Sequence, residues 1–348
     1  MNLAVPLEKL TPKDFTTDQE VRWCPGCGDY AILKAMLKTL ADIEAKPEDT
    51  VFVSGIGCAA RFPYYVSTYG FHTIHGRAPA VATGVKLANP KLDVWVVSGD
   101  GDALSIGGNH LLHLLRRNVD LQFLLFNNEI YGLTKGQYSP TSRRGTRSPS
   151  SPGGSLEQPV SATAFALGAG ARFVARAVDT AQAQLPEVLK RAHAHRGTSF
   201  VEIFQNCIVY NDGVHNAFTE RGVAADRQIF VEHGKPLIYG KDRDKGLRLN
   251  SKTLTLESIA LGKNGGGADE AEVLVHDETN KVLATMLAGM EPPHLPVALG
   301  VLYCDPAPCY DQAIAAQIAD AKARAAKNGK AGGLNAIMRA GNTWKVGA

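Results

Sequence analysis

The chain has 348 residues, 45% of them hydrophobic, which is enough for a large buried core built as one α/β domain with additions or as two smaller units. Thirty-seven basic side chains against thirty-four acidic ones leave a net charge of +3, too little to argue for a nucleic-acid partner. The opening MNLAVPLEKLTPKDF has no basic stretch followed by a long apolar core, and runs such as LQFLLF fall short of a membrane span, so a cytoplasmic protein without a membrane segment is expected.

In that compartment thiols stay reduced, and the six cysteines point to metal or redox chemistry before disulfides. The first signal in chain order is CPGCG at 24–28, which suits a zinc knuckle, a dithiol redox site or part of an iron–sulfur site. A zinc ribbon needs a second CxxC, and there is none: Cys58 and Cys207 stand singly, and four residues separate Cys304 from Cys309. A helix is predicted over Tyr30–Asp42, then a buried strand at VFVSG (51–55), a helix over Ala80–Ala88 and a second strand at VWVVSG (94–99). Gly99-Asp100-Gly101 closes that strand; a helix over Ala103–Arg117 leads to LQFLLFN (121–127), closed by Asn127-Asn128.

Ser139–Ser155, rich in Ser, Pro, Gly and Arg, reads as a long loop, either a lid or disordered. A helix over Thr180–His195 and the strand SFVEIF (199–204) follow. From about Tyr239 the signals weaken: KNGGGADEAE reads as a linker inside a C-terminal extension that carries an alanine-rich helix over Asp311–Lys327. The expected division is 1–240 for the binding and catalytic part and 241–348 for an extension that makes subunit contacts.

Strand, helix and strand repeating within about thirty residues argue for an α/β fold with a doubly wound, mostly parallel sheet whose ligands sit beyond the carboxyl ends of its strands. One right-handed crossover then puts Gly99-Asp100-Gly101 and Asn127-Asn128 on the same sheet edge. Mg²⁺ favours one or two protein oxygens plus phosphate and water, and Asp100 offers a charged oxygen, Asn128 a neutral one. The glycines let backbone approach a diphosphate, toward which the helix over Ala103–Arg117 would aim its first N–H groups.

A lone GDG is an ordinary turn, but GDGDALSIGGNHLLHLLRRNVDLQFLLFNN resembles the shared motif of the thiamine diphosphate enzymes, which begins GDG and ends NN after about twenty-five residues. The resemblance implies Mg²⁺ held by Asp100, the Asn128 side chain and the Ile130 carbonyl. It also implies thiamine diphosphate in contact with Gly57, Cys58, His75, Gly99, Gly101, Asp102, Gly132, Leu133 and Thr134.

The blocks WCPGCGDYAILKAM, SGIGCAARFPYY, HTIHGRAPAVATGVKLANP, NNEIYGLTKGQYSPTS and QNCIVYND extend the likeness over roughly residues 20–240. Together they resemble the β subunits of the 2-oxoacid:ferredoxin oxidoreductases, most of all the 2-oxoglutarate type. That family implies a 4Fe–4S cluster on Cys24, Cys27, Cys58 and Cys207, with Cys304 and Cys309 left as structural thiols. It implies oxidative decarboxylation of a 2-oxoacid with coenzyme A to an acyl-CoA and CO₂, the electrons passing through the cluster to ferredoxin or another electron-transfer subunit.

No Glu stands in a recognisable context for activating thiamine, which in the family falls to an α subunit, so an α₂β₂ or larger assembly is expected. Arg61 is the candidate for gripping the substrate carboxylate through a bidentate fork. His75 is placed near thiamine or substrate; His110, His113 and Glu129 read as structural. Pyruvate or another 2-oxoacid is the alternative substrate, and a non-oxidative thiamine enzyme with a structural zinc is the alternative chemistry.

Overall fold

In the computed structural model, which describes residues 9–262, 267–327, 333–341, 344 and 346–347, the expected apolar strands form the centre of an eight-stranded sheet. In chain order the strands are β1 (Thr50–Ser54), β2 (Tyr69–His72), β3 (Asp93–Gly99), β4 (Leu121–Asn127), β5 (Ile130–Tyr131), β6 (Gln137–Tyr138), β7 (Phe173–Val178), β8 (Thr198–Phe204), β9 (Gln228–Val231), β10 (Ile238–Tyr239), β11 (Lys245–Asn250), β12 (Thr255–Ala260) and β13 (Val297–Cys304). The large sheet runs β2-β1-β3-β4-β8-β7-β13-β9, with every neighbouring pair parallel except β7 and β13. This is the mostly parallel α/β architecture that the sequence predicts.

Alternation along the central strands explains why both faces are covered. Val94, Val96, Phe123 and Leu125 pack into one core with α2 (Ala78–Ala88), α4 (Gly108–Arg117) and α5 (Ala162–Gly168). Trp95, Val97, Leu124 and Phe126 point the other way, toward α1 (Asp29–Asp42) and α6 (Leu185–Ala194). On that second face Phe52 stacks on Trp95 with ring centroids 6.1 Å apart, and Phe62 meets Phe126 edge to face at 5.8 Å.

The structure corrects several expectations. The single helix over Ala103–Arg117 is two: α3 (Asp100–Leu104) stops at Ser105, and α4 restarts at Gly108. The break lies where the His75-Gly76 turn docks on the Gly107 backbone, so closely that a Cβ on Gly76 would lie 2.4 Å from the Gly107 nitrogen. The helix expected from Thr180 begins at Leu185, because Gln182 Nε2 donates to the Asp179 carbonyl at 2.7 Å and holds the preceding residues in turns. Ser139–Ser155 is neither a free lid nor disordered at its start, where Ser139, Thr141 and Ser142 are buried.

Nor is the C-terminal part an appendage. After the three-stranded antiparallel sheet β10-β11-β12, the chain returns to insert β13 between β7 and β9, so residues on both sides of position 240 share one sheet. Of the expected linker, residues 263–266 lie outside the described residues, as does part of the closing AGNTWKVGA. The helix Tyr310–Lys327 buries only Asp311, whose Oδ1 accepts a hydrogen bond from the Asp120 amide at 3.0 Å. No described helix is long and apolar enough to cross a membrane.

Candidate active site at the carboxyl ends of four strands

Because β1, β3, β4 and β8 are adjacent and parallel, their carboxyl ends open on one edge, and each is followed by a candidate residue. β1 leads to Cys58, β3 to Asp100, β4 to Asn128 and β8 to Cys207; Cys24 and Cys27 precede α1. One cavity there is lined by Gly57, Cys58, His75, Gly99, Asp100, Gly101, Asp102, Asn128, Ile130, Gly132, Leu133 and Thr134, together with Ile56, Ala59, Phe126 and Tyr131. A second, against it, is lined by all four expected cysteines with Arg61, Trp23 and Gln205. Cys58, Asn128, Gly132 and Leu133 belong to both walls.

Asp100 is 1% exposed, and its Oδ2 accepts hydrogen bonds from Ser139 Oγ at 2.5 Å and Thr141 Oγ1 at 2.6 Å. Burial pushes its carboxyl up to about 6, against the opposing pull of those hydroxyls and of nearby backbone amides. Asn128 is held at both ends of its amide: Nδ2 donates to Gln205 Oε1 at 2.7 Å, and Oδ1 accepts from the Ile130 amide at 3.2 Å. Asn127 turns away from the cavity, donating to Glu202 Oε1 at 2.8 Å. Glu202 is itself paired with Arg176 at 2.8 Å in a buried ion pair that joins β8 to β7.

The remaining candidates separate. Asp102 lines the cavity, but its carboxylate is engaged by protein: Oδ2 accepts from Ser98 Oγ at 2.6 Å and Oδ1 from the Gly76 amide at 2.8 Å. It therefore anchors the turn that carries His75, an exposed ring whose Nδ1 lies 3.8 Å from Asp102 Oδ1. Arg61 is half-buried, lines the thiol cavity and has no carboxylate within ion-pairing distance among the described residues. His110 and His113 sit on α4 and line neither cavity. Glu129, with φ 55°, points to Arg143 Nε at 3.3 Å, and burial pushes its carboxyl up to about 7.

All six cysteines are free. Burial, assisted by Asp29, raises the Cys27 thiol well above its ordinary range and pushes Cys58 up to about 12, so these groups ionise only beside a cation. Gly132 leaves the room between them: a Cβ there would come 3.4 Å from Cys207 Sγ and 3.7 Å from Cys58 Sγ. Cys304 lies elsewhere, its Sγ 3.8 Å from His195 Nδ1, and Cys309 is buried near Asp120.

Behind the site His215 is 4% exposed, its Nε2 bonded to the Asn127 carbonyl at 3.0 Å. Burial lowers its pKa to about 4, so the ring is neutral, and its 3.8 Å approach to Glu129 is not an ion pair at neutral pH. A pKa depressed on folding gives stability that is present above the ordinary histidine value of about 6.5 and is lost as pH falls toward 4. His215→Gln is therefore expected to lower the melting temperature at pH 7.5, with the gap to the parent narrowing by pH 4.5. The full window corresponds to about 3 kcal/mol, and a constant gap would show that His215 does not titrate there.

The sequence reading missed Ser139, Thr141, Gln205, Trp23 and Tyr131. Trp23 Nε1 donates to the Cys58 carbonyl at 2.7 Å, Gln205 Nε2 reaches Cys27 Sγ at 3.3 Å, and Tyr131 Oη donates to the Gly101 carbonyl at 2.9 Å. A signal was available for two of them, since Trp23 and Gln205 each stand within two residues of a candidate cysteine.

The family described as thiamine pyrophosphate enzyme, C-terminal TPP binding domain, matches residues 55–203. The 2-oxoglutarate oxidoreductase subunit KorB of Mycobacterium tuberculosis is 47% identical over 345 residues, covering 96% of this chain and 88% of the relative. The 2-oxoglutarate synthase subunit KorB of Methanocaldococcus jannaschii is 42% identical over 242 residues, 69% of this chain and 88% of its own. Among solved structures, the 2-oxoglutarate:ferredoxin oxidoreductase of Magnetococcus marinus, with 2-oxoglutarate, coenzyme A and succinyl-CoA bound, superposes with a TM-score of 0.74 at 31% identity. That match covers 97% of this chain and 98% of the other.

Proposed function

We propose, from the premise that the chain belongs to the family of β subunits of the 2-oxoacid:ferredoxin oxidoreductases and is of their 2-oxoglutarate type, that it holds the diphosphate half of a shared thiamine site and the first electron acceptor beside it. The reaction is oxidative decarboxylation of 2-oxoglutarate with coenzyme A to succinyl-CoA and CO₂. When bound, thiamine diphosphate supplies the carbon nucleophile for the 2-oxo carbon and takes up the electrons left as CO₂ departs, and a 4Fe–4S cluster carries them one at a time toward ferredoxin.

Asp100 and Asn128, with the Ile130 carbonyl, would hold Mg²⁺ and through it the diphosphate. The fit rests on a buried carboxylate and a carboxamide fixed by Gln205, the mixed charged and neutral oxygen set that Mg²⁺ favours. Cys24, Cys27, Cys58 and Cys207 would hold the cluster. Their fit rests on four free thiols around one cavity. An α subunit would contribute the carboxylate that activates thiamine, and residues after 240 would make subunit contacts.

The observation that carries this reading is the shared wall: Gly132 and Cys58 belong to both cavities, so a thiamine in one and a cluster in the other would be neighbours. The test is anaerobic purification with the co-expressed partner subunit. Thiamine, magnesium, iron and acid-labile sulfide are expected, with viologen reduction that requires both 2-oxoglutarate and coenzyme A. One zinc per chain and no iron would instead establish the non-oxidative reading.

Arg61, beside the thiols and without an acidic partner among the described residues, would grip the substrate carboxylate. Arg61→Met is expected to raise KM for 2-oxoglutarate and lower kcat/KM about ten- to a hundredfold, the equivalent of a charge-assisted hydrogen bond. Thiamine and iron content should not change. Unaltered kcat/KM would leave the carboxylate to the partner subunit.

A further inference from the structure

The segment Ser139-Pro140-Thr141-Ser142 looks like loop in the sequence and carries no assigned role, yet all three of its hydroxyl residues are buried. We propose that Ser139 and Thr141 are positioning residues that lock the Asp100 carboxylate for its divalent cation by occupying Oδ2 with two hydroxyl donors. This rests on the reading that Asp100 holds Mg²⁺.

Counting protons shows why both hydroxyls point at Asp100. The Ser142 hydroxyl donates to the Glu129 carbonyl and accepts from the Ser139 amide at 2.8 Å. Thr141 Oγ1 has two acceptors in reach, Asp100 Oδ2 at 2.6 Å and Asn127 Oδ1 at 3.0 Å. Asn127 Oδ1 already receives the Glu129 amide at 3.2 Å, and the bond to a carboxylate is the stronger, so the single Thr141 proton goes to Asp100. The Ser139 proton goes the same way, at 2.5 Å, because the other oxygens near it are hydroxyls at 3.1 and 3.3 Å.

With two donors on Oδ2 and no side-chain donor on Oδ1 among the described residues, the carboxylate cannot rotate without breaking both bonds, and Oδ1 is the oxygen left for a cation. The strap is itself stiff. Pro140 fixes its own φ, and the Ser142 amide donates to the Ser139 carbonyl at 3.1 Å, closing a turn over residues 139–142. The Pro140 carbonyl accepts from the Val160 amide at 2.8 Å, tying the strap to the segment before α5. Through Ser142 the same strap grips the peptide preceding Ile130, so it touches both ends of the expected oxygen set.

Removing partners that orient a metal ligand costs about 10- to 100-fold in metal affinity. The experiment uses the assembled complex, stripped with EDTA and titrated with Mg²⁺ at fixed thiamine diphosphate, and reads the thiamine diphosphate retained after filtration. Ser139→Ala and Thr141→Val should each need about tenfold more Mg²⁺, and the double variant about a hundredfold more. Thr141→Ser, which keeps the hydroxyl and drops the methyl, should stay within about twofold of the parent.

If Ser and Val at 141 are equally impaired, packing rather than the donor matters, and the proposal is overturned. Variants that load at the parent's Mg²⁺ concentration overturn it as well while leaving the Mg²⁺ assignment standing. If the parent itself binds thiamine diphosphate without any divalent cation, it is the role of Asp100 that fails.

Discussion

Asp100→Asn is expected to leave the assembled complex without thiamine diphosphate at Mg²⁺ concentrations that saturate the parent. The substitution preserves shape and removes the charge of the buried carboxylate that follows β3 and lines the cavity. The amide keeps both hydroxyl bonds only with its oxygen at the Oδ2 position, which turns its NH₂ toward the place where Oδ1 would meet the cation. Partners of a metal ligand alone are worth about 10- to 100-fold, so loss of the charged ligand should exceed a hundredfold in apparent Mg²⁺ affinity. The measurement is thiamine and magnesium content after desalting, with iron content as the control for assembly. Parent-like thiamine in the variant would move the metal off Asp100.

Cys207→Ser should remove the cluster and with it acceptor reduction, while Cys304→Ser and Cys309→Ser keep both. Cys207 is 9% exposed, follows β8 and faces Gly132 and Cys58, whereas Cys304 ends β13 and Cys309 lies beside Asp120. A serine hydroxyl is a harder donor on a shorter bond, so iron should fall from about four per chain toward none. Iron content and the reduced-state paramagnetic signal decide. Retention in the Cys207 variant with loss in either of the others would exchange the fourth ligand.

What the sequence disclosed and what it hid follow from one distinction. β1, β3, β4 and β8 are runs of apolar residues buried on both faces, so they stood out, and the residues closing β3 and β4 lie on one edge as expected. β7 was invisible because Arg176 interrupts FVARAV, and it is the pairing with Glu202 on the neighbouring strand, with a bond to Thr163 Oγ1, that makes that charge tolerable inside. β13 was hidden by Gly300, at φ 104°, and by an irregularity in register between Val301 and Tyr303. The helix break at Ser105 depends on a turn arriving from residues 75–76, a contact no local pattern records.

The site divides in the same way. Asp100 and Asn128 stood out by residue type and spacing and the four cysteines through the family resemblance, and the structure lines two adjoining cavities with them. Ser139 and Thr141 were not, since hydroxyls in a Pro-containing stretch look like loop until a carboxylate thirty-nine or forty-one residues away is found against them.

The insertion of β13 also sets an order on biogenesis. A chain made from its N-terminus has β1, β3, β4 and β8 in hand, with every candidate cofactor residue, long before residues 297–304 leave the ribosome. Until then β7 has no outer neighbour and β9 no strand to join, so the nascent sheet shows an open edge that invites pairing with other chains. A stalled or prematurely terminated product would thus carry a finished cofactor edge on an unfinished sheet, and the eight-residue strand translated late is the one that closes it.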